Sequence, residues 1–216
     1  MLKKNSQSRR RLYGIHKAKM GSCLNQFLRC PITMADSSRI CSWKHAFALD
    51  NPVRRLIHDP QKILGGYIKP GQTVLDVGCG PGTFSMAMAE MVGESGRIIA
   101  VDVQEEMLQI LRKKAARQGL ESRIVTHKSD PDRIGVFEKV DFALAFYMVH
   151  EVPDAEAFLK EIASLLKPGG KLLVVEPKMH VSAAAFERTI ETARRAGLKA
   201  VNGPEVSFSR SKLLSL

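Results

Sequence analysis

One stretch constrains this chain more than any other: Val74-Leu75-Asp76-Val77-Gly78-Cys79-Gly80-Pro81-Gly82. A short β-branched run, Thr73–Val77, feeds three glycines at alternating positions, and a helical pattern over Pro81–Val92 follows at once. Glycine permits backbone conformations that a side chain forbids, and it lets a ligand approach the main chain closely. In a doubly wound sheet such a turn lies outside the carboxyl end of a strand, where these folds bind ligands. The spacing Gly-x-Gly-x-Gly is not the dinucleotide fingerprint Gly-x-Gly-x-x-Gly. Pro81 also occupies the helix start, where a diphosphate would use free N–H groups. Both features argue against NAD or FAD.

Beyond this turn the chain alternates between two periodicities. Strand patterns fall at Thr73–Val77, Arg97–Val101, Arg123–His127, Val140–Phe146 and Lys171–Glu176. Helical patterns fall at Pro81–Val92, Gln104–Gln118, Ala155–Leu166 and Ser182–Ala196, with Pro168-Gly169-Gly170 ending the third. Such alternation predicts an α/β fold, a Rossmann-like doubly wound parallel sheet with helices on both faces. Two more strand candidates, Lys199–Val201 and Phe208–Leu214, have no helix between them and are expected to pair antiparallel at the edge.

Upstream, Asn51-Pro52 and Asp59-Pro60 each place a capping residue before a helix-starting proline, so residues 36–69 read as a helical cap ahead of a main domain over 70–216. Residues 1–35 differ in kind. They carry Lys3, Lys4, Arg9, Arg10, Arg11, Lys17, Lys19 and Arg29 and no acid. They read as a disordered extension, or as sequence upstream of a start at Met20 or Met34. A transit peptide and a basic arm remain alternatives. Much of the net charge of +11 therefore sits in this segment and does not point to nucleic acid. No apolar run approaches the roughly 18 residues of a membrane span. Cys23, Cys30, Cys41 and Cys79 show no paired framework, which fits a reducing, cytoplasmic setting.

Asp102 closes the second strand pattern. An acid there can accept hydrogen bonds from both hydroxyls of a ribose, or cap the helix beginning near Gln104, or do both. With the glycine turn and this acid in place, the chain resembles the class I S-adenosylmethionine-dependent methyltransferases, in the small-molecule ubiquinone/menaquinone-biosynthesis group. The resemblance rests on Val74–Gly82, on Ile99–Asp102 followed by Met107-Leu108, and on Leu165–Gly170, and it extends over about residues 52–216. It implies seven strands with an antiparallel last one, and S-adenosyl-L-methionine as methyl donor. By the same resemblance Asp76, Gly78, Gly80 and Gly82 would cradle the donor's methionine part. Asp102 would hold the ribose, Val103 would lie against the adenine, and Phe146 would border the sulfonium. Asp130 matches the acid that receives the adenine amino group, although Ser129-Asp130-Pro131 departs from the usual Gly-Asp-Ala.

The acceptor side is read from the segments after the fourth and fifth strands, His150-Glu151-Val152-Pro153-Asp154 and Glu176-Pro177-Lys178-Met179-His180. Imidazole titrates near neutrality, so His150 and His180 are candidate general bases. With Glu151 or Glu176 they are also candidate metal ligands, though no metal is expected. The bland alternative is that His150 and Glu151 cap the next helix or line a pocket. Tyr147 is a further candidate, with a buried ring as its plainer role. Cys79 is read as a packing residue. Cys41 and His45 lie one helical turn apart and, with Cys23 and Cys30, match no zinc spacing. Arg54 and Arg55 are candidates for an acidic substrate or for a solvated helix face.

The run Phe146-Tyr147-Met148-Val149 stands where methylases of nucleobase amino groups carry Asn- or Asp-Pro-Pro-aromatic, and only Cys79 offers a thiol inside the fold, which argues against the arsenic methylation that relatives perform with several thiols. The sequence thus predicts methyl transfer to a small molecule, with nucleic acid disfavoured. An RNA or protein methyltransferase and a non-catalytic S-adenosylmethionine-binding module are the rivals.

Overall fold

The computed structural model describes residues 56–216. The expectations for residues 1–35, for Asn51-Pro52, and for Cys23, Cys30, Cys41, His45, Arg54 and Arg55 lie outside the described residues. The elements are α1 (Pro60–Leu64), β1 (Thr73–Val77), α2 (Thr83–Val92), β2 (Arg97–Asp102), α3 (Glu105–Gln118), β3 (Ile124–Lys128), β4 (Val140–Phe146), α4 (Ala155–Leu165), β5 (Leu166–Pro177), α5 (Ala183–Arg195), β6 (Lys199–Val201) and β7 (Ser209–Ser215). Short 3-10 turns stand at Glu121–Arg123 and Val149–Glu151.

The strands form one seven-stranded sheet in the order β3-β2-β1-β4-β5-β7-β6. The pairs among β1 to β5 are parallel, and β7 runs antiparallel to both β5 and β6. Because side chains alternate across a strand, each central strand feeds two cores. Val74, Ile98, Phe142, Leu144 and Leu173 face one side, with Phe84 and Met88 of α2 and Leu108 and Leu111 of α3. Leu75, Ile99, Ala143, Ala145 and Leu172 face the other, with Leu159 and Ile162 of α4 and Phe186 and Ile190 of α5. Helices thus cover both faces, which explains why the strands read as continuous apolar runs.

The strand order reverses at β1, whose neighbours are β2 and β4. A crevice opens outside the carboxyl ends of the strands at such a switch point. Gly78 follows β1 there, and Tyr147 follows β4.

Helix ends follow their capping chemistry. Asp59 caps α1 by accepting from the Gln61 N–H, Asp154 caps α4 through Glu156 and Ala157, and Ser182 caps α5 through Ala185. His150 and Glu151 are therefore not the caps of α4; they form the 3-10 turn before it.

Two expectations need correction. Helix α2 begins at Thr83, because Gly82 at φ 86° is its N-cap and keeps Pro81 in the turn. Pro168-Gly169-Gly170 does not separate α4 from β5. The strand starts at Leu166, opposite Val140, and bulges over these residues before Lys171 meets Phe142. The left-handed conformation of Gly169, φ 76°, accommodates the bulge. The last two strands do pair antiparallel at the edge, with β7 next to β5 and the exposed β6 outermost.

Phe142 is 1% exposed at the centre of β4 and stacks on Tyr67 with ring centroids 6.4 Å apart. Phe142→Ala should lower unfolding free energy by about 3–5 kcal/mol, measured by urea denaturation, since the packed sheet cannot collapse onto the cavity.

Candidate functional site

The turn after β1 is built from three left-handed glycines, Gly78 at φ 66°, Gly80 at 52° and Gly82 at 86°. Two of them are held for opposite reasons. A Cβ on Gly82 would strike Leu111 Cδ1 at 2.3 Å, so this glycine lets α3 pack against the turn. A Cβ on Gly80 would meet nothing within 4 Å. Half-buried Gly80 therefore borders open space in the crevice.

Asp102 ends β2 and ties the turn down. Its Oδ2 accepts the Gly80 N–H at 2.9 Å and its Oδ1 accepts the Gln104 N–H at 2.9 Å. It is thus not a cap of α3, whose N-cap is Gln104. The Val103 main-chain N–H also donates to this carboxylate. The Cys79 N–H donates to the Val101 carbonyl, and Lys114 Nζ donates to the Pro81 carbonyl at 2.7 Å.

Beneath the turn lies Asp76, 2% exposed, whose Oδ2 accepts the Ser85 hydroxyl at 2.5 Å. Burial pushes its carboxyl up to about 7 despite the Ser85 hydrogen bond, and the charge of Asp102 adds to the rise. Asp102 is raised too, chiefly by burial, against the hydrogen bonds it accepts. Two buried carboxyls thus lie close together behind the turn with no cation among the causes of either shift. The same burial and the same two aspartates push the Cys79 thiol up, so it is no thiolate nucleophile.

Val103 is half-buried just beyond Asp102. Asp130 is exposed, in a turn closed by a bridge to Arg133. The Ser129 N–H donates to the Asp102 carbonyl at 3.1 Å, which draws this turn to the end of β2. Phe146 ends β4, with its ring 4.3 Å from Phe84 and 4.5 Å from Tyr147, centroid to centroid.

Tyr147 is half-buried rather than a sealed core ring, and it is left-handed at φ 62°. A bulky residue persists there only when its surroundings over-determine it. The surroundings are visible: its hydroxyl meets Ser209 Oγ at 2.5 Å and His58 Nε2 at 3.2 Å, and its N–H donates to the Val175 carbonyl. His58 Nε2 also reaches the Ser207 carbonyl at 3.0 Å. The turn at Tyr147 brings Met148 against Gly78, where an added Cβ would meet Met148 Cβ at 2.9 Å. Sequence reasoning missed His58, Ser85 and Ser209. Only Ser85 carried a signal, as a hydroxyl in the first turn of the helix behind the glycines.

His150, His180, Glu151 and Glu176 do come together. Glu176 is buried near the end of β5, and its Oε1 accepts the His150 main-chain N–H at 3.2 Å while its Oε2 lies 2.5 Å from His150 Nδ1. His150 Nε2 is 3.9 Å from Glu151 Oε1, and the His180 ring lies nearly parallel, 6.3 Å away. Burial pulls the His150 imidazole down. The hydrogen bond to Glu176 and the charges of Glu176 and Glu151 outweigh it, so its pKa stands above the ordinary 6.5. Among the described residues no group of three or more His, Cys, Asp or Glu side chains is placed to hold a metal ion, and no helix is long and apolar enough to cross a membrane.

A methyltransferase-domain family model matches residues 68–203 of the chain. A demethylmenaquinone methyltransferase of Lactobacillus johnsonii is 34% identical over 110 residues, covering 50% of this chain and 45% of that protein. The chain spans about half the length of the curated relatives it matches. Among solved structures, a SAM-dependent methyltransferase from Aquifex aeolicus superposes with a TM-score of 0.72 at 29% identity, covering 81% of this chain and 98% of that one. Aeropyrum pernix fibrillarin, solved with natively bound S-adenosyl-L-methionine, shares the fold at a TM-score of 0.58 and 18% identity, over 74% of each chain.

The raised carboxyl of Asp76 has a thermodynamic signature. Its folded pKa of about 7 exceeds the ordinary 3.8, so the folded state holds a proton that the unfolded state gives up. Stability from this group is intact below pH 4 and is lost as pH rises to 7. Asp76→Asn should remove that loss. Its stability relative to wild type should climb by about 1.4 kcal/mol per pH unit between pH 4 and 7, read from urea unfolding at several pH values.

Proposed function

The chain belongs to this methyltransferase-domain family, and we propose that it transfers a methyl group from S-adenosyl-L-methionine to a small-molecule acceptor. The observation that carries the reading is the open cradle at Gly80 with Asp102 locked beside it. The residues fit the donor. Gly80 leaves room against the main chain, Asp102 offers lone pairs to a ribose diol, and buried Asp76 stands where a cationic amino group would relieve it. Gly78 and Gly82 shape the turn, and Val103 supplies an apolar wall for an adenine. Asp130 stands by for its amino group, and Phe146 borders the reacting centre.

The bound donor supplies a methyl group already activated by its sulfonium, so the protein's work is alignment and exclusion of water. The chain's own groups divide that work. The glycine turn and Asp102 hold one side of the crevice. The Phe84–Phe146–Tyr147 ring cluster dries the middle. His150 and His180 stand on the acceptor side, next to the only buried glutamate of the described residues, Glu176. Residues 36–69 act as the acceptor cap, a role supported by His58, which reaches the β4 turn through Tyr147. The relatives named for demethylmenaquinone make quinol-like rings the first acceptors to screen. A cytoplasmic enzyme acting on a small molecule rather than nucleic acid completes the reading, supported by a cysteine spacing without a disulfide framework and by basicity concentrated in residues 1–35.

Calorimetric titration tests this. Wild type should bind S-adenosylmethionine and S-adenosylhomocysteine in the micromolar range and ignore NADH. Asp102→Ala should lose binding at least 10-fold. Gly80→Ala should cost only about 1 kcal/mol of stability yet weaken binding more than 10-fold, because its methyl group fills the cradle. Folded wild-type protein that binds neither ligand would refute the reading.

A further inference from the structure

The segment after β4 does more than line the crevice. Glu176 is 1% exposed, and both of its carboxylate oxygens are committed to one residue. Oε1 takes the His150 main-chain N–H at 3.2 Å, and Oε2 takes the ring at Nδ1 at 2.5 Å. A carboxylate can only accept, so Nδ1 carries the proton and the lone pair of the neutral ring is left on Nε2. The left-handed Tyr147 sets the course of the chain into this turn, and the His180 ring lies nearly parallel to that of His150 at 6.3 Å. The side chain of His150 is still 26% exposed, so the ring is not sealed from solvent. A second carboxylate, Glu151, stands 3.9 Å from Nε2.

We propose that Glu176 and His150 form a dyad in which His150 is the catalytic general base and Glu176 its positioning residue, selecting an uncharged acceptor with a phenolic or enolic hydroxyl. This rests on the methyltransferase reading of the same crevice and names its substrate class. Two glutamates flank the base, so carboxylate or phosphate acceptors are repelled, whereas a neutral hydroxyl meets a lone pair. The step balances. The acceptor O–H proton passes to Nε2, the oxygen's electron pair forms the bond to the methyl carbon, and the carbon–sulfur bond breaks with its pair on sulfur. Positive charge moves from the sulfonium to an imidazolium already paired with Glu176. If the ring carbon beside the oxygen takes the methyl instead, its own C–H proton returns to the oxygen and the phenol is restored.

Two readouts test this on the full chain. Long-range nitrogen–proton NMR of the histidine rings needs no ligand. Neutral His150 should carry its proton on Nδ1, and Glu176→Gln should lower its titration midpoint by about one pH unit or more. A neutral ring protonated on Nε2, or an unmoved midpoint, overturns the dyad. The second readout is methyl transfer to menadiol, benzoate and benzylamine at saturating donor. Menadiol should be preferred, with kcat rising with pH on a single ionisation. His150→Gln should lower kcat by about 10²–10⁴-fold, and Glu176→Gln by at least 10-fold, with KM for menadiol little changed and the midpoint moved down. Preference for benzoate or benzylamine rejects the substrate class, and a Glu176→Gln profile that stays in place rejects the dyad. Failure of the underlying reading looks different: wild type then binds no S-adenosylmethionine in the calorimeter, and the acceptor assignment falls with it whatever the tautomer.

Discussion

The architecture of the crevice hangs on a carboxylate gripping main-chain donors. Asp102 holds the N–H of Gly80 and the N–H of Gln104, and its own carbonyl holds Ser129. These three contacts join the turns that follow β1, β2 and β3. Buried hydrogen bonds to a charged group are worth roughly 1.5–3 kcal/mol each, more than neutral ones. A turn made of three left-handed glycines has little rigidity of its own. The stiffness comes from Asp102 on one side, Leu111 against Gly82 on another, and Met148 against Gly78 on the third. Gly80 alone is left facing space, which is why the site opens there.

The cost of this arrangement is electrostatic. Asp76 and Asp102 are both buried and each is raised from its ordinary range by desolvation, with the charge of Asp102 raising Asp76 further. The fold tolerates this because Ser85, Gly80 and Gln104 supply donors. What they do not supply is net positive charge. A ligand that brings a cation to the crevice finds the field already in place, as preorganised sites require. On the proposed acceptor side the pattern is inverted: Glu176 binds both the main chain and the ring of His150, and the proposed base is the group that would gain positive charge.

Much of this was legible in the sequence, for identifiable reasons. The parallel strands announced themselves because burial on both faces demands mostly apolar residues, so Thr73–Val77 and Val140–Phe146 are read to the residue. The glycine turn and Asp102 are local features, and the structure keeps them together. The long-range contacts were not legible. His58 meets Tyr147 across 89 residues and Ser207 across 149, and nothing in the spacing of a lone histidine signals either. The left-handed Tyr147 was equally hidden, since an aromatic residue carries no local preference for that conformation. Pro168-Gly169-Gly170 misled for a physical reason: its breaker chemistry is real, but it is used to bulge a strand rather than to end an element.

The position of β7 has a consequence for how the molecule is made. Strands β1 to β5 can add side by side in parallel as helices cross over them, but β6 touches the sheet only through β7. A ribosome delivers β6 first. Lys199–Val201 must therefore wait, unpaired, until Ser209–Ser215 has emerged and been threaded between it and β5. Until then the outer rim of β5 is a bare row of N–H and C=O groups, and Ser209, which helps seat Tyr147, is missing. The proposed acceptor side of the crevice thus waits on the synthesis and threading of β7.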